Sequence, residues 1–175
     1  MAPMDLIETT RAGLIGPLEA KVLRLIGETF FNDASVDYYA HLGLPDIILI
    51  LCAGEEPAGH LALYRREVGI LDQDVEIGMI GGVAIAPAYR GRGLSRSLVQ
   101  RAHTWLRTRS IPFSLLFAFE PRVYESSGYQ LMRNAVRFLD HDGTWKTLVY
   151  RGGMYAELME ERWPDQLVDL RGPTV

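Results

Sequence analysis

The chain has 175 residues, 48% of them apolar and 23% charged, and a formal net charge of −4. At about 150 residues per domain this is one domain, able to bury a core without staples. The composition excludes a disordered or collagen-like chain, and the single cysteine, Cys52, excludes an internal disulfide and a cysteine-built zinc site. The longest apolar run, Ile47 to Gly54, is far below the roughly 20 residues of a membrane span. Asp5 and Glu8 without a basic segment do not make a signal peptide. The expectation is a cytoplasmic protein with no membrane partner, and the net acidity argues against nucleic acid.

Met4 to Thr10 reads as a short first strand. Pro17 suits the first position of a helix, where its fixed φ fits and its missing N–H is not needed. Leu18, Val22, Ile26 and Phe30 then recur every four residues, an amphipathic helix to about Phe31. A short helix follows from Val36 to Leu42, ended by Gly43 and Pro45. Asp46 to Ala53 reads as a buried strand and Gly54 to Gly59 as its turn. His60 to Val68 is the antiparallel partner. After a turn at Leu71 to Asp74, Val75, Ile77, Met79, Val83 and Ile85 share one strand parity, while Gly78, Gly82, Ala84 and Ala86 share the other. Something must pack close against the small face, and Gly81-Gly82 points to a bulge.

A helix from Gly93 to Arg109 carries the stripe Leu94, Leu98, Val99, Ala102, Trp105, Leu106. Phe113 to Phe119 is a second buried strand, so this stretch forms a βαβ crossover with a parallel pair. A short helix from Pro121 ends at Gly128. Tyr129 to Leu139 and Trp145 to Tyr150 flank Asp140-His141-Asp142-Gly143 as a hairpin. The class is α+β, with a mixed, mostly antiparallel sheet around a central βαβ unit and helices on the sheet faces.

Charge is unevenly placed. Ile77 to Phe119 contains no Asp or Glu and six arginines, Arg90, Arg92, Arg96, Arg101, Arg107 and Arg109, so its charge is +6 and the rest of the chain carries −10. Within this block a buried strand, Val83-Ala84-Ile85, runs into Ala86-Pro87-Ala88-Tyr89-Arg90-Gly91-Arg92-Gly93-Leu94-Ser95 and opens the acid-free helix. Unpaired backbone N–H groups and the positive end of the helix dipole point into such a turn. Glycines let a diphosphate approach the main chain, and arginines flank it, which is the recipe for a phosphate cradle. The G-x-G-x-x-G and P-loop spacings are both absent.

Arg90-Gly91-Arg92-Gly93-Leu94-Ser95 resembles the Arg/Gln-x-x-Gly-x-Gly/Ala loop of the GNAT superfamily of acyl-CoA-dependent N-acyltransferases, with Ser95 standing where Gly or Ala is usual. Val83-Ala84-Ile85 resembles the strand that pairs with the pantetheine arm in that family. Val123-Tyr124-Glu125-Ser126-Ser127-Gly128-Tyr129 is similar to its Tyr-Glu-x-x-Gly-Phe segment. The resemblance covers roughly Asp46 to Val149 and implies a three-layer α/β/α domain over residues 1–175, with a less standard tail over 152–175.

The resemblance also implies a chemistry: acetyl transfer from acetyl-CoA, as cosubstrate, to a small-molecule or protein amine by direct attack. Val83, Ala84, Ile85, Arg90, Gly91, Arg92, Gly93, Leu94 and Ser95 would bind the cosubstrate. Tyr124 would protonate the departing thiolate, as a phenol that holds its proton at neutral pH can. Many family members use a carboxylate base before the Gly-Val-x-Val segment. Here Gly81 stands at that position, so Glu76 or Glu120, through a water, are the candidates. His60 and His103 qualify by residue type only, and no side-chain cluster has metal spacing. Phe30, Phe31, Tyr38 and Tyr39 mark the expected acceptor side, and the acidic remainder of the chain would suit a cationic amine. The alternative is a non-catalytic acyl-CoA-binding sensor, kept open by Gly81. A nucleic-acid binder using the arginine helix is disfavoured. Either a monomer or a homodimer fits.

Overall fold

Pro17 occupies the first turn of α1 (Gly16–Phe31), which closes on Asn32 in the left-handed region at φ 50°. The structure is a computed structural model that describes residues 3–175. Before α1 lies β1 (Met4–Thr9). After it comes α2 (Tyr38–Leu42), two residues shorter than the sequence predicts, because the Asp37 carboxylate accepts from the Tyr39 N–H and so becomes the N-cap. Then follow β2 (Ile47–Ala53), β3 (Glu56–Ile70), β4 (Gln73–Ile85), α3 (Leu94–Arg107), β5 (Phe113–Phe117) and α4 (Arg122–Glu125). The chain ends with β6 (Gln130–Leu131), β7 (Val136–Leu139), β8 (Trp145–Leu148), β9 (Gly153–Glu157) and β10 (Val168–Asp169).

The strands form one mixed sheet in the order β6-β9-β5-β4-β3-β10-β7-β8, with β2 on β3 and β1 on β2. The pairs β1–β2, β2–β3, β5–β9, β6–β9, β7–β8 and β3–β10 are antiparallel, while β10 and β7 run parallel. β4 and β5, linked by α3, are neighbours at its centre. This is the mixed α+β class that the strand and helix patterns predict.

The residues fall into two compact units. The first comprises residues 1–64 and 80–102. Its β1 and β2 pair from Met4↔Ala53 to Thr9↔Ile48, and β2 meets β3 from Ile47↔Leu63 to Ala53↔Glu56, with a register shift at Leu51/Cys52. Both faces of β2 are covered, so its apolar run is continuous instead of alternating. Val22, Ile26, Ile48, Leu49, Ile50, Leu61 and Leu63 are fully buried. β3 starts earlier than the sequence predicts, at Glu56, because the turn after β2 is tight.

The second unit comprises residues 65–79 and 103–175. Here the predicted close approach to the small face of β4 is explicit. A Cβ on Gly78 would lie 2.5 Å from both methyl carbons of Leu106. The predicted hairpin at Asp140–Gly143 pairs Leu139 with Trp145. The predicted strand Tyr129 to Leu139 is interrupted. Between β6 and β7, Asn134 is buried and its amide donates to the carbonyls of Pro164 and Gln166 at 2.7 and 2.6 Å, while its oxygen accepts from Trp163 Nε1 at 2.8 Å. The chain breaks from the ladder there to hold the tail. That tail is part of the sheet: β9 lies between β6 and β5, and β10 between β3 and β7.

Candidate functional site

In the first unit β4 does not end smoothly. Gly82 has φ +60°, the left-handed residue expected of a bulge at Gly81-Gly82. Its carbonyl accepts from His60 Nδ1 at 2.7 Å, and His60 Nε2 lies 2.5 Å from the Tyr39 hydroxyl. Tyr38 lies against Gly82, its ring 3.0 Å from where a Cβ would be. After this pinned point Val83 and Ile85 are half-buried and Ala84 is buried, and the Ala86 N–H bonds the Ala58 carbonyl at 2.9 Å.

A single 3₁₀ turn, Pro87–Tyr89, leads into the loop Arg90–Gly93. Gly91 and Gly93 have φ +73° and +74°. A Cβ built on either meets nothing within 4 Å, so the turn needs glycine for its backbone conformation and leaves open space beside it. α3 starts at Leu94 with no acidic residue in its first turn. The N–H groups at that end have no intrahelical partner. Leu94 and Ser95 are half-buried at the floor of the loop.

The six arginines divide by use. Arg90 Nε donates to the Ile85 carbonyl at 3.1 Å, tying the loop to the end of β4. Arg92 lies over the Tyr89 ring at 5.2 Å. Arg96 is exposed. Arg101 is ion-paired with Glu8. In the second unit Arg107 donates to the Leu158 carbonyl at 3.0 Å, and Arg109 covers Trp105 at 3.7 Å. Three arginines therefore stay at the loop, and three are used by the fold.

Tyr124, Glu76 and Glu120 belong to the second unit. Tyr124 is half-buried on α4, its ring edge-on to Tyr129 at 6.2 Å, and burial raises the phenol above its ordinary range. Tyr129 is buried and held by Ser114 Oγ at 2.6 Å and His103 Nε2 at 3.0 Å. His103 is thus a core residue, its pKa lowered to about 4 by burial and by Arg107. Glu76 is exposed and ion-paired with Arg65, Nε to Oε1 2.7 Å. Glu120 is exposed in the segment after β5.

Sequence reasoning placed the acceptor side at Phe30 to Tyr39. Within that segment Phe30 and Phe31 are 37% and 42% exposed, while Tyr38 and Tyr39 are 4% and 3% exposed, packed edge-on against each other and against His60. Both tyrosines are core: Tyr39 through its hydroxyl's bond to His60, Tyr38 through packing against Gly82. Cys52 is buried in β2. Among the described residues no group of three or more His, Cys, Asp or Glu side chains could hold a metal ion, and no helix is long and apolar enough to cross a membrane.

The family model of the acetyltransferase (GNAT) domain matches residues 20–132. The chain belongs to the GNAT acetyltransferase family. That match spans the glycine loop and the Tyr124 segment together. Among solved structures, the GNAT N-acetyltransferase YhbS of Escherichia coli in complex with CoA is similar at a TM-score of 0.68 and 16% identity, covering 96% of this chain and 91% of that one. An acyl-CoA N-acyltransferase from Pseudomonas aeruginosa follows at TM-score 0.61 and 19% identity, covering 88% and 99%. A GNAT acetyltransferase from Brucella melitensis in complex with acetyl-CoA is similar at TM-score 0.55 and 17% identity, covering 74% and 84%. Longer structures match too, among them GCN5-related N-acetyltransferases from Kribbella flavida and Anabaena variabilis, and this GNAT chain spans only 31% to 33% of the length of those longer chains. No curated protein matches the sequence. At these identities the structures establish the GNAT fold.

Proposed function

We propose that the protein is an N-acetyltransferase that moves an acetyl group from acetyl-CoA to a primary amine by direct attack. The observation that carries this reading is the loop Arg90–Gly93. Two left-handed glycines leave open space at the N-terminus of an acid-free helix, with Arg90, Arg92 and Arg96 around it. A diphosphate fits that chemistry, because main-chain N–H groups and the helix dipole supply fixed positive potential while the arginines neutralise charge. Val83, Ala84 and Ile85 lead into it as strand, and Leu94 and Ser95 close it. The CoA and acetyl-CoA bound to the similar proteins support the choice of cosubstrate.

In the reaction the amine nitrogen forms a bond to the thioester carbonyl carbon and the C–S bond breaks. One proton leaves the amine and one reaches the sulfur, so the products are the amide and CoA thiol. Tyr124 is assigned the second proton, since its burial keeps the phenol protonated throughout the neutral range. The first proton is assigned to Glu120 through a water. Among the described residues Glu120 has no ion pair, whereas Glu76 is held by Arg65.

The test is CoA release from acetyl-CoA with a panel of primary amines, read beside the melting temperature with acetyl-CoA alone. Thiol release with any amine supports the transferase. A melting shift with no thiol release from the whole panel would favour the acyl-CoA-binding sensor.

A further inference from the structure

The second unit contains a cavity of about 920 Å³, near the upper end of what small-molecule sites enclose. Its wall is made by Ala118, Phe119 and Pro121 in the segment after β5, the segment around β6 (130–134), the loop before β9 (149–152) and Tyr155, Trp163 and Asp165. Part of this wall is rigid. Trp163 is stacked on Tyr155 at 5.4 Å and locked through its ring N–H to Asn134. Tyr150 is packed edge-on to Phe117 and Phe138 at 4.9 and 5.2 Å. Phe119, 95% exposed, also lines it.

Two arginines, Arg133 and Arg151, line this cavity against one carboxylate, Asp165. Among the described residues neither guanidinium is engaged by a carboxylate or carbonyl, unlike Arg107, Arg137, Arg162 and Arg171 of the same unit. Arg151 is exposed, and the backbone of the turn after it is held close to the segment following β5. A Cβ on Gly152 would stand 2.1 Å from the Ala118 carbonyl oxygen, and the Ala118 N–H bonds the Gly152 carbonyl at 2.8 Å. The loop that carries Arg151 is therefore clamped onto the end of β5. Residues 118–121 continue directly into α4 and Tyr124.

We infer that this cavity is the acceptor site and that it takes a small amine bearing a carboxylate on an apolar or aromatic body, an aromatic amino acid being the simplest case. The inference rests on the acetyl-transfer reading and goes beyond it in naming the acceptor class. It departs from the cationic amine that the chain's net acidity predicts, because the local charge of the wall is positive while the acidity lies elsewhere. The guanidinium fork matches a planar carboxylate, and the aromatic walls cover the body. Asp165 is the one wall group that would favour the ammonium form of the same molecule.

The experiment compares L-phenylalanine, phenylalaninamide, O-phosphoethanolamine and spermidine as acceptors with acetyl-CoA. It uses wild type, Arg133→Gln, Arg151→Gln and the control Arg109→Ala. We expect kcat/KM to be highest for L-phenylalanine. We also expect its preference over the amide to fall by at least about tenfold in either glutamine variant, the effect of losing a charged hydrogen bond. The acetyl-CoA melting shift should be unchanged in both, and Arg109→Ala should behave as wild type. Equal use of acid and amide overturns the inference, as does a preference for spermidine or phosphoethanolamine, or an acid preference that survives both substitutions. Thiol release with those other amines would still uphold acetyl transfer. A melting shift with acetyl-CoA and no turnover or binding of L-phenylalanine removes the acceptor class but leaves cosubstrate binding standing.

Discussion

The imidazole of His60 is bonded through Nδ1 to the carbonyl oxygen of Gly82 at 2.7 Å. A carbonyl only accepts, so Nδ1 carries the proton and Nε2 must accept, from the Tyr39 hydroxyl at 2.5 Å. The tautomer is thus set by the partners. A peptide plane holds its C=O and N–H in opposite directions. Fixing the Gly82 carbonyl toward His60 therefore also fixes where the Val83 N–H points, near the end of β4.

This relationship gives a pH prediction. His60 is completely buried and its pKa is lowered to about 4, and His103 is lowered to about 4 as well, against an ordinary value of 6.5. Both folded values lie below the unfolded one, so between 6.5 and 4 the unfolded chain binds more protons. Stability is whole above the unfolded value and is lost as pH falls toward the folded one, by roughly 1 kcal/mol per pH unit for each imidazole. Urea unfolding at several pH values across this window should show the slope, and His60→Gln should remove about half of it. A flat profile would mean that both rings charge inside the fold.

Tyr39→Phe tests the same line from its other end. The phenyl ring keeps the packing but leaves Nε2 buried without a donor, which should cost about 1–3 kcal/mol. Because Tyr39 and His60 act as one unit, the double variant should lose less than the sum of the singles. Additive losses in denaturant unfolding would show that the two residues are energetically separate.

At Gly93 the obstacle is backbone conformation. At φ +74° with nothing near its Cβ position, Gly93→Val should strain the turn by about 1–3 kcal/mol. Gly93→Asn, which tolerates the left-handed region, should fold normally. Acetyl-CoA at 100 times Kd should stabilise wild type by about 2.7 kcal/mol. The asparagine variant should lose most of that shift, since its side chain enters the open space. An undiminished shift would place the diphosphate elsewhere.

The division of the arginines predicts a division of kinetic effects. Arg92→Ala and Arg96→Ala should raise KM for acetyl-CoA, with less salt dependence and little change in kcat. Arg109→Ala, whose guanidinium lies over Trp105, should leave KM unchanged. Equal KM values for all three would assign the loop arginines to solvent.

Tyr124→Phe keeps the ring against Tyr129 and removes only the proton donor. We expect kcat to fall about 10²-fold, with KM for acetyl-CoA and Tm nearly unchanged. A variant with near-wild-type kcat would make Tyr124 a packing residue, the thiolate taking its proton from water.

Local chemistry made much of the molecule legible in the amino-acid order. Pro17 marked the start of α1, the Asp140–Gly143 turn its hairpin, and the strand–glycine–helix run from Val83 to Ser95 the loop, because each depends on residues adjacent in the chain. Gly78 announced a close neighbour, and Leu106 is that neighbour. The tertiary structure alone decided the rest. Hydrogen bonds between distant residues took Tyr39 and His60 out of solvent, broke the strand at Asn134 and wove the tail into the sheet. They carry no sequence period, since a buried polar group is satisfied by whatever partner the fold brings to it. The same reason separates the arginines. Composition counts six charges in one block, but only packing determines that Arg101, Arg107 and Arg109 are taken up elsewhere in the fold, that Arg90 ties the loop to β4, and that Arg92 and Arg96 remain at the glycine turn.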